Sequence, residues 1–298
     1  MELADAADSK SVGVESPVRV RLPPSAPEGR LAFLFFGGVW LKFLEFDIQN
    51  LPLDSIVSDL FEGLQGENKL FVVTMNALIV YEYLKVPRYN KAFQRVNYIV
   101  PDGAGVVKAA KFLYREELKR VPGIELMMSL CRRLEGEDAG VFFLGSTEES
   151  VSKMVKKMKE MMPGLNVSGY HGGYFSDDQS EEIVSRINAS GARVLFVGMG
   201  VPRQEIWISE HFDDLKISLA MGVGGSFDVI SGILKRAPVW IQKANLEWLF
   251  RILQQPRKKL KVLPRLATFS FFILQQKLRS SAGRQNTHGD KERKDFHQ

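Results

Sequence analysis

The chain has 298 residues, 45% of them hydrophobic and 25% charged, enough to bury one large core or two modest ones. Its single cysteine, Cys131, excludes an intrachain disulfide and fits a small core residue in a reducing compartment. The net charge of +5 is unevenly placed: Lys235 to Arg279 holds eleven Lys/Arg and one acid, Glu247, whereas residues 1–234 carry 25 basic and 31 acidic residues. An acidic body of this kind argues against general nucleic-acid coating.

Residues 1–30 contain PPSAP and few large apolar side chains, and are expected to form a disordered leader. The opening MELADAADSK lacks the basic start of a secretory signal. The apolar run Leu31 to Leu41 reads as a first strand or hairpin, and no segment reaches the ~20 apolar residues of a membrane span. Short apolar runs then alternate with helical patterns. The strand candidates are LFVVT (70–74), YIVP (98–101), VFFLG (141–145), LNVSGY (165–170), RVLFVG (193–198) and KISLAMGVG (216–224). Between the third and fourth, Val151, Met154, Val155, Met158, Met161 and Met162 form a stripe at helical spacing, read as core filling. Strands alternating with helices predict an α/β, Rossmann-like, mostly parallel sheet with helices on both faces. A boundary is placed at Gly232, giving an α/β catalytic domain over 31–232, a basic helical appendage over 233–280 and a disordered polar tail over 281–298.

Four strand ends carry polar loops. In TMNA, Thr74 and Asn76 share parity and would point to one side of the sheet edge, although Asn76 also suits the N-cap of the next helix. In VPDGAG, Asp102 stands either in an ordinary Pro-Asp-Gly turn or, at the carboxyl end of a strand, as a general base. In RVPGIEL, Arg120 is a guanidinium suited to a diphosphate, or a solvated surface residue. In VGMGVPRQEIW (197–207), two glycines break a buried strand and Pro202 sits at the first position of a helix. Gly200, Arg203, Gln204 and Glu205 then lie at a helix start where phosphate or sugar can bind, followed by GVGGSFDVISG, whose glycines, Gly224 among them, allow close backbone approach to a ligand. Gly198 and Gly200 begin like a dinucleotide fingerprint, but Arg203 occupies the third glycine position, where helix and strand must pack closely. His171 is a lone histidine without metal-ligand companions, and no metal site is expected. The PRKKLKVLPR segment with LATFSFFIL behind it is either an interfacial, lipid-contacting element or a helix packed on the body through Phe269, Phe271, Phe272 and Leu274.

Taken together and in order, TMNA, PDGAGVV, RVPGIEL, VFFLGS, YHGGYF, VGMGVPRQEIW, GVGGSFDVISG and RAPVW…LEWLFRILQQPRK resemble the WecG/TagA/CpsF family of bacterial glycosyltransferases, over about residues 33–260. The resemblance implies an inverting transfer from a UDP-sugar donor to a polyprenyl-diphosphate-linked saccharide acceptor in cell-surface polysaccharide synthesis, without a cofactor or required metal. It implies Asp102 as general base, with Gln204 beside it in the catalytic set. Thr74, Asn76, Gly200, Arg203, Glu205 and Gly224 would line the substrate pocket, and Arg120 would hold phosphate charge. Arg236, Arg251 and Arg257 match appendage arginines that contact phosphate or membrane and can complete the site. An anionic membrane surface on the cytoplasmic side, no nucleic acid and an open question of homo-oligomerisation complete the expected partners. Three positions depart from the family pattern: Leu78 where an acid is expected, Glu125 for aspartate and Arg203 for lysine. Leu78 leaves room for a second reading, a catalytically silent nucleotide-sugar-binding module docked on the membrane.

Overall fold

The computed structural model describes residues 40–295, so the expected leader and the first part of the apolar run, residues 31–39, lie outside the described residues. The described chain opens on the hairpin of β1 (Trp40–Phe43) and β2 (Phe46–Gln49), turned by Leu44 at φ 55°. Then follow α1 (Leu53–Gly63), β3 (Leu70–Met75), α2 (Ala77–Lys85), α3 (Pro87–Phe93), β4 (Tyr98–Pro101), α4 (Ala104–Tyr114) and α5 (Gly123–Arg133). The second half of the sheet comes from β5 (Gly140–Gly145), α6 (Glu148–Met161), β6 (Val167–His171), α7 (Ser180–Ala189), β7 (Ala192–Gly198), α8 (Arg203–His211), β8 (Leu219–Gly222) and α9 (Ser226–Ser231).

The six strands β3 to β8 pair in the order β4-β3-β8-β7-β5-β6, and every pairing is parallel. This is the α/β architecture the alternating pattern predicts. Each of β3, β4, β5 and β8 is buried along its whole length. Helices cover both faces of a parallel sheet, so its strands appear as continuous apolar runs rather than as alternation. The strand expected over 216–224 shrinks to Leu219–Gly222, because Gly224 turns the chain into the left-handed region at φ 53°. In α6, Val151, Met154, Val155 and Met158 are buried as expected, and Met162 behind them is too; Met161 faces outward instead.

Beyond Gly232, a left-handed C-cap, the strands stop and the chain becomes helical: α10 (Val239–Lys243), α11 (Glu247–Gln254), α12 (Pro256–Lys259) and α13 (Val262–Asp295). Helix α13 lies against α2 and α4, burying Phe269 and Ile273 in the main core, with Phe272 partly buried against it. Phe271 and Leu274, expected as core in the packed reading, face outward on the same helix. The backbone also departs from the expected disordered tail, because α13 continues through residues 281–295. After Pro264 the stretch contains no proline, and its Gln, Lys and Arg residues are good helix formers.

Candidate active site at the strand ends

Strand register brings the polar loops to one edge of the sheet. Met75 lies opposite Pro101, Val73 opposite Gly222, and Val197 opposite the same Gly222. Thr74, Asp102, Gly198–Gln204 and Gly222–Gly225 therefore converge at the carboxyl ends of β3, β4, β7 and β8, where open α/β sheets bind ligands.

The turn after β4 is tied to β3: the amides of Asp102 and Gly103 both donate to the Met75 carbonyl at 3.0 Å. Gly103 must be glycine here, since a Cβ would lie 2.7 Å from the Asn76 Cβ. The Asp102 side chain accepts from the Gly123 amide at the start of α5 and sits within the fields of Arg120 and Arg251. Burial outweighs these favourable charges, and the nearby Glu247 adds to it, so the carboxyl is raised to about 6. A carboxylate poised there is well placed to accept a proton near neutral pH. Gly123 in turn leaves room for Thr74, whose Oγ1 would stand 3.0 Å from an added Cβ. The Thr74 hydroxyl is buried and makes a long 3.4 Å bond to the Gly222 carbonyl.

Asn76 takes the capping role: its Oδ1 accepts from the amides of Leu78 and Ile79 at 3.0 and 3.3 Å. Leu78 contributes its backbone to that cap. Arg120 donates from Nε to the Asp102 carbonyl at 2.7 Å and from Nη2 to Glu247 of α11, an ion pair that joins the loop before α5 to the basic appendage. Arg236 of the appendage pairs with Glu125 in the first turn of α5. Arg251 reaches the site itself, its Nη1 lying 3.8 Å from where a Cβ on Gly225 would be. Arg257 is exposed in α12.

The other wall turns out differently from the expectation of free polar groups. Helix α8 begins at Arg203, with Pro202 as its N-cap rather than its first residue. Arg203 points along the outside of the sheet end, donating to the carbonyls of Gly173 and Phe175 at 2.9 and 2.5 Å and stacking on the Phe175 ring. Gln204 and Glu205 are 2% and 1% exposed, so both are interior residues. The Gln204 Oε1 accepts from the amides of Gly200 and Gly224 at 3.1 and 3.0 Å, and its Nε2 donates to Glu205 Oε1 at 2.6 Å. Gln204 thus braces both glycine loops from behind. The Glu205 carboxyl is raised to about 7 by burial, with Gln204 and Tyr89 opposing the shift. Nothing in the sequence pattern marks Tyr89, which faces Glu205 from α3 with its hydroxyl buried and outside normal hydrogen-bonding geometry. The pattern likewise gives no sign of Asp228, which accepts from the hydroxyls of Ser146 and Ser150 and ties the end of β5 to α9.

His171 has the peripheral place expected of it, with Nδ1 at 2.7 Å from the Gly172 carbonyl and its ring edge-on to Phe175. Among the described residues no group of three or more His, Cys, Asp or Glu side chains stands close enough to hold a metal ion, and no helix is long and apolar enough to cross a membrane.

An open parallel sheet with a half-buried carboxylate and guanidinium groups gathered at its strand ends has the architecture of an α/β protein that holds its ligand at that edge. Residues 41–283 match the model of the glycosyl transferase WecG/TagA/CpsF family. A relative from Bacillus spizizenii (strain ATCC 23059 / NRRL B-14472 / W23) is 34% identical over 220 residues, covering 74% of this chain and 85% of its own length. A second, from Staphylococcus aureus (strain MW2), is 36% identical over 228 residues, covering 75% and 89%. Both are named N-acetylglucosaminyldiphosphoundecaprenol N-acetyl-beta-D-mannosaminyltransferase. The chain belongs to the WecG/TagA/CpsF family and is a glycosyltransferase.

Proposed function

We propose that this glycosyltransferase moves a sugar, with inversion, from a UDP-activated donor to a saccharide carried on polyprenyl diphosphate, with Asp102 as general base. The observation that carries the reading is the placement of Asp102: a carboxyl at a strand's end, raised to about 6, with Arg120 and Arg251 beside it. As the acceptor hydroxyl attacks the anomeric carbon, a new C–O bond forms and the bond to the donor diphosphate breaks. The hydroxyl proton passes to Asp102, and UDP departs with the bonding pair. Arg251, next to the glycine loop after β8, is the cation best placed to take up the charge developing on the diphosphate. Thr74 lines the floor between them, and Asn76 and Gln204 support the loops around it.

The relatives' names make N-acetylmannosaminyl transfer to N-acetylglucosaminyl-diphosphoundecaprenol the first donor and acceptor pair to test. A lipid-linked acceptor also fits the appendage. Trp240 and Leu253 are 69% and 71% exposed there, among the basic residues of α10 to α13. We place the enzyme on the cytoplasmic face of the membrane, with apolar side chains in the lipid interface and Lys/Arg among anionic headgroups, worth ~1 kcal/mol each. The decisive assay is UDP release from a panel of UDP-sugars with and without lipid-linked acceptor. The Asp102→Asn variant should lose ~100-fold or more in kcat with the fold intact. Full activity in that variant would remove Asp102 from the role of base. Donor binding by the natural chain without transfer to any acceptor would favour the silent binding module.

A further inference from the structure

We infer that Glu205 is a positioning residue for the transfer reaction: its carboxylate fixes the orientation of the Gln204 amide, which clamps the two glycine loops that wall the cleft. A glutamine amide has an oxygen end and a nitrogen end of nearly equal shape, so packing alone does not choose between them. The loop side of Gln204 offers two donors, the Gly200 and Gly224 amides, and both need the oxygen. Turned the other way, the NH2 group would face two N–H groups, and neither the two part-buried loop amides nor the buried NH2 would have an acceptor there. On the opposite side Glu205 Oε1 accepts from Nε2 at 2.6 Å, and in its ionised form the carboxylate offers acceptors only, so it takes the nitrogen end. The buried carboxylate therefore decides which end meets the loops.

The neighbouring chain is shaped around this pair. A Cβ on Gly222 would lie 2.6 Å from Gln204 Nε2 and 3.0 Å from Glu205 Oε1, so β8 ends in a residue without a side chain where the two meet. The clamped glycines are both left-handed, Gly200 at φ 80° and Gly224 at φ 53°, and need a tether to hold a shape with few local constraints. Gly225, next along, lies beside Arg251, so the clamp reaches the cation assigned to the leaving group.

The test combines kinetics with hydrogen exchange on the full-length protein. Glu205→Met keeps the volume and removes the acceptor; it should cut kcat by about 10- to 100-fold with a smaller effect on KM for the donor. Glu205→Gln, which still offers an amide oxygen, should lose less. Gln204→Glu sets two carboxylates against each other and should be the most impaired. The double variant Gln204→Glu/Glu205→Gln restores an acceptor for both glycine amides and a donor between the side chains, and should recover at least about 10-fold over Gln204→Glu alone. Fast exchange at the Gly200 and Gly224 amides should accompany each loss of kcat. The kinetic arm rests on the transfer reading, whereas the exchange arm does not. Unchanged exchange in Glu205→Met, or no recovery in the double variant, would overturn the clamp. Loosened loops in the variants of a protein whose natural chain transfers no sugar would uphold the clamp and count against the transfer reading. If Glu205→Met fails to fold, the comparison of Gln204→Glu with the double variant decides the matter.

Discussion

Asp102 holds its proton more tightly than a free aspartate because it lies in a densely enclosed turn, and Arg120, Arg251 and the Gly123 amide offset that effect only in part. As the proposed base, Asp102 must be ionised to work, so kcat/KM should fall about tenfold per pH unit below about 6 and level off above it. Rates measured from pH 5 to 8 check this, and a profile flat through pH 6 would separate Asp102 from proton transfer. Its position could be found in the sequence because Pro-Asp-Gly at the end of an apolar run leaves a carboxylate at the strand's edge. Gln204 was legible as a position and not as an orientation. The pattern places it in the first turn of α8, but only the approach of β8 shows its amide facing inward to Gly200 and Gly224. Arg203 is a similar case, its charge being taken up by carbonyls of the loop after β6.

Among the elements, the strands were the most readable, because a sheet covered on both faces demands unbroken apolar runs. Helix starts were less so, because one residue can serve two purposes. Asn76 suits both a cap and a ligand-facing group, and its Oδ1 is committed to the amides of α2. Asn76→Ala should accordingly lower unfolding stability by about 1 kcal/mol, and Asn76→Asp should retain it, as urea denaturation can measure. A drop for Asn76→Asp equal to that for Asn76→Ala would contradict the capping role. The hydrophobic stripe of α6 was visible at its centre and failed at its end, where Met161 turns to solvent as the helix closes.

At the scale of the whole molecule, the sequence of the basic C-terminal appendage suits either a membrane element or a packed helix. Helix α13 has one face in the core and one outside it. Phe269 is 5% exposed in the core and Phe271 is 60% exposed. Phe269→Ala should cost about 3–5 kcal/mol of stability. Phe271→Ala should change stability by less than about 0.5 kcal/mol yet weaken co-sedimentation with anionic vesicles. If Phe271→Ala leaves vesicle binding untouched, that face is not the lipid contact. Two ion pairs, Arg120 with Glu247 and Arg236 with Glu125, join the appendage to the loops beside Asp102, so the proposed lipid contact and the proposed catalytic site share one set of elements.

The amino-acid sequence by itself determined the parallel α/β sheet, its family, the charge division between body and appendage, and the placing of Asp102 at a strand's end. The sheet, the charge division and the placing of Asp102 follow from hydrophobic periodicity, glycine and proline punctuation, or composition, and the family from the resemblance of eight motifs taken in order. Tertiary structure alone decided which polar groups of the strand-end loops face the cleft and which are spent inside. It turned Gln204 and Glu205 inward, committed the Asn76 oxygen to a helix, brought Arg251 beside Asp102 from over a hundred residues away in sequence, and gave α13 a buried and an exposed face. For Gln204 and Arg251 the physical reason is shared: a polar side chain serves whichever groups the packed chain brings near it, and Gly224 and Asp102 lie on other elements of the fold. For α13 it is apolar burial, which takes Phe269 into the core and leaves Phe271 outside.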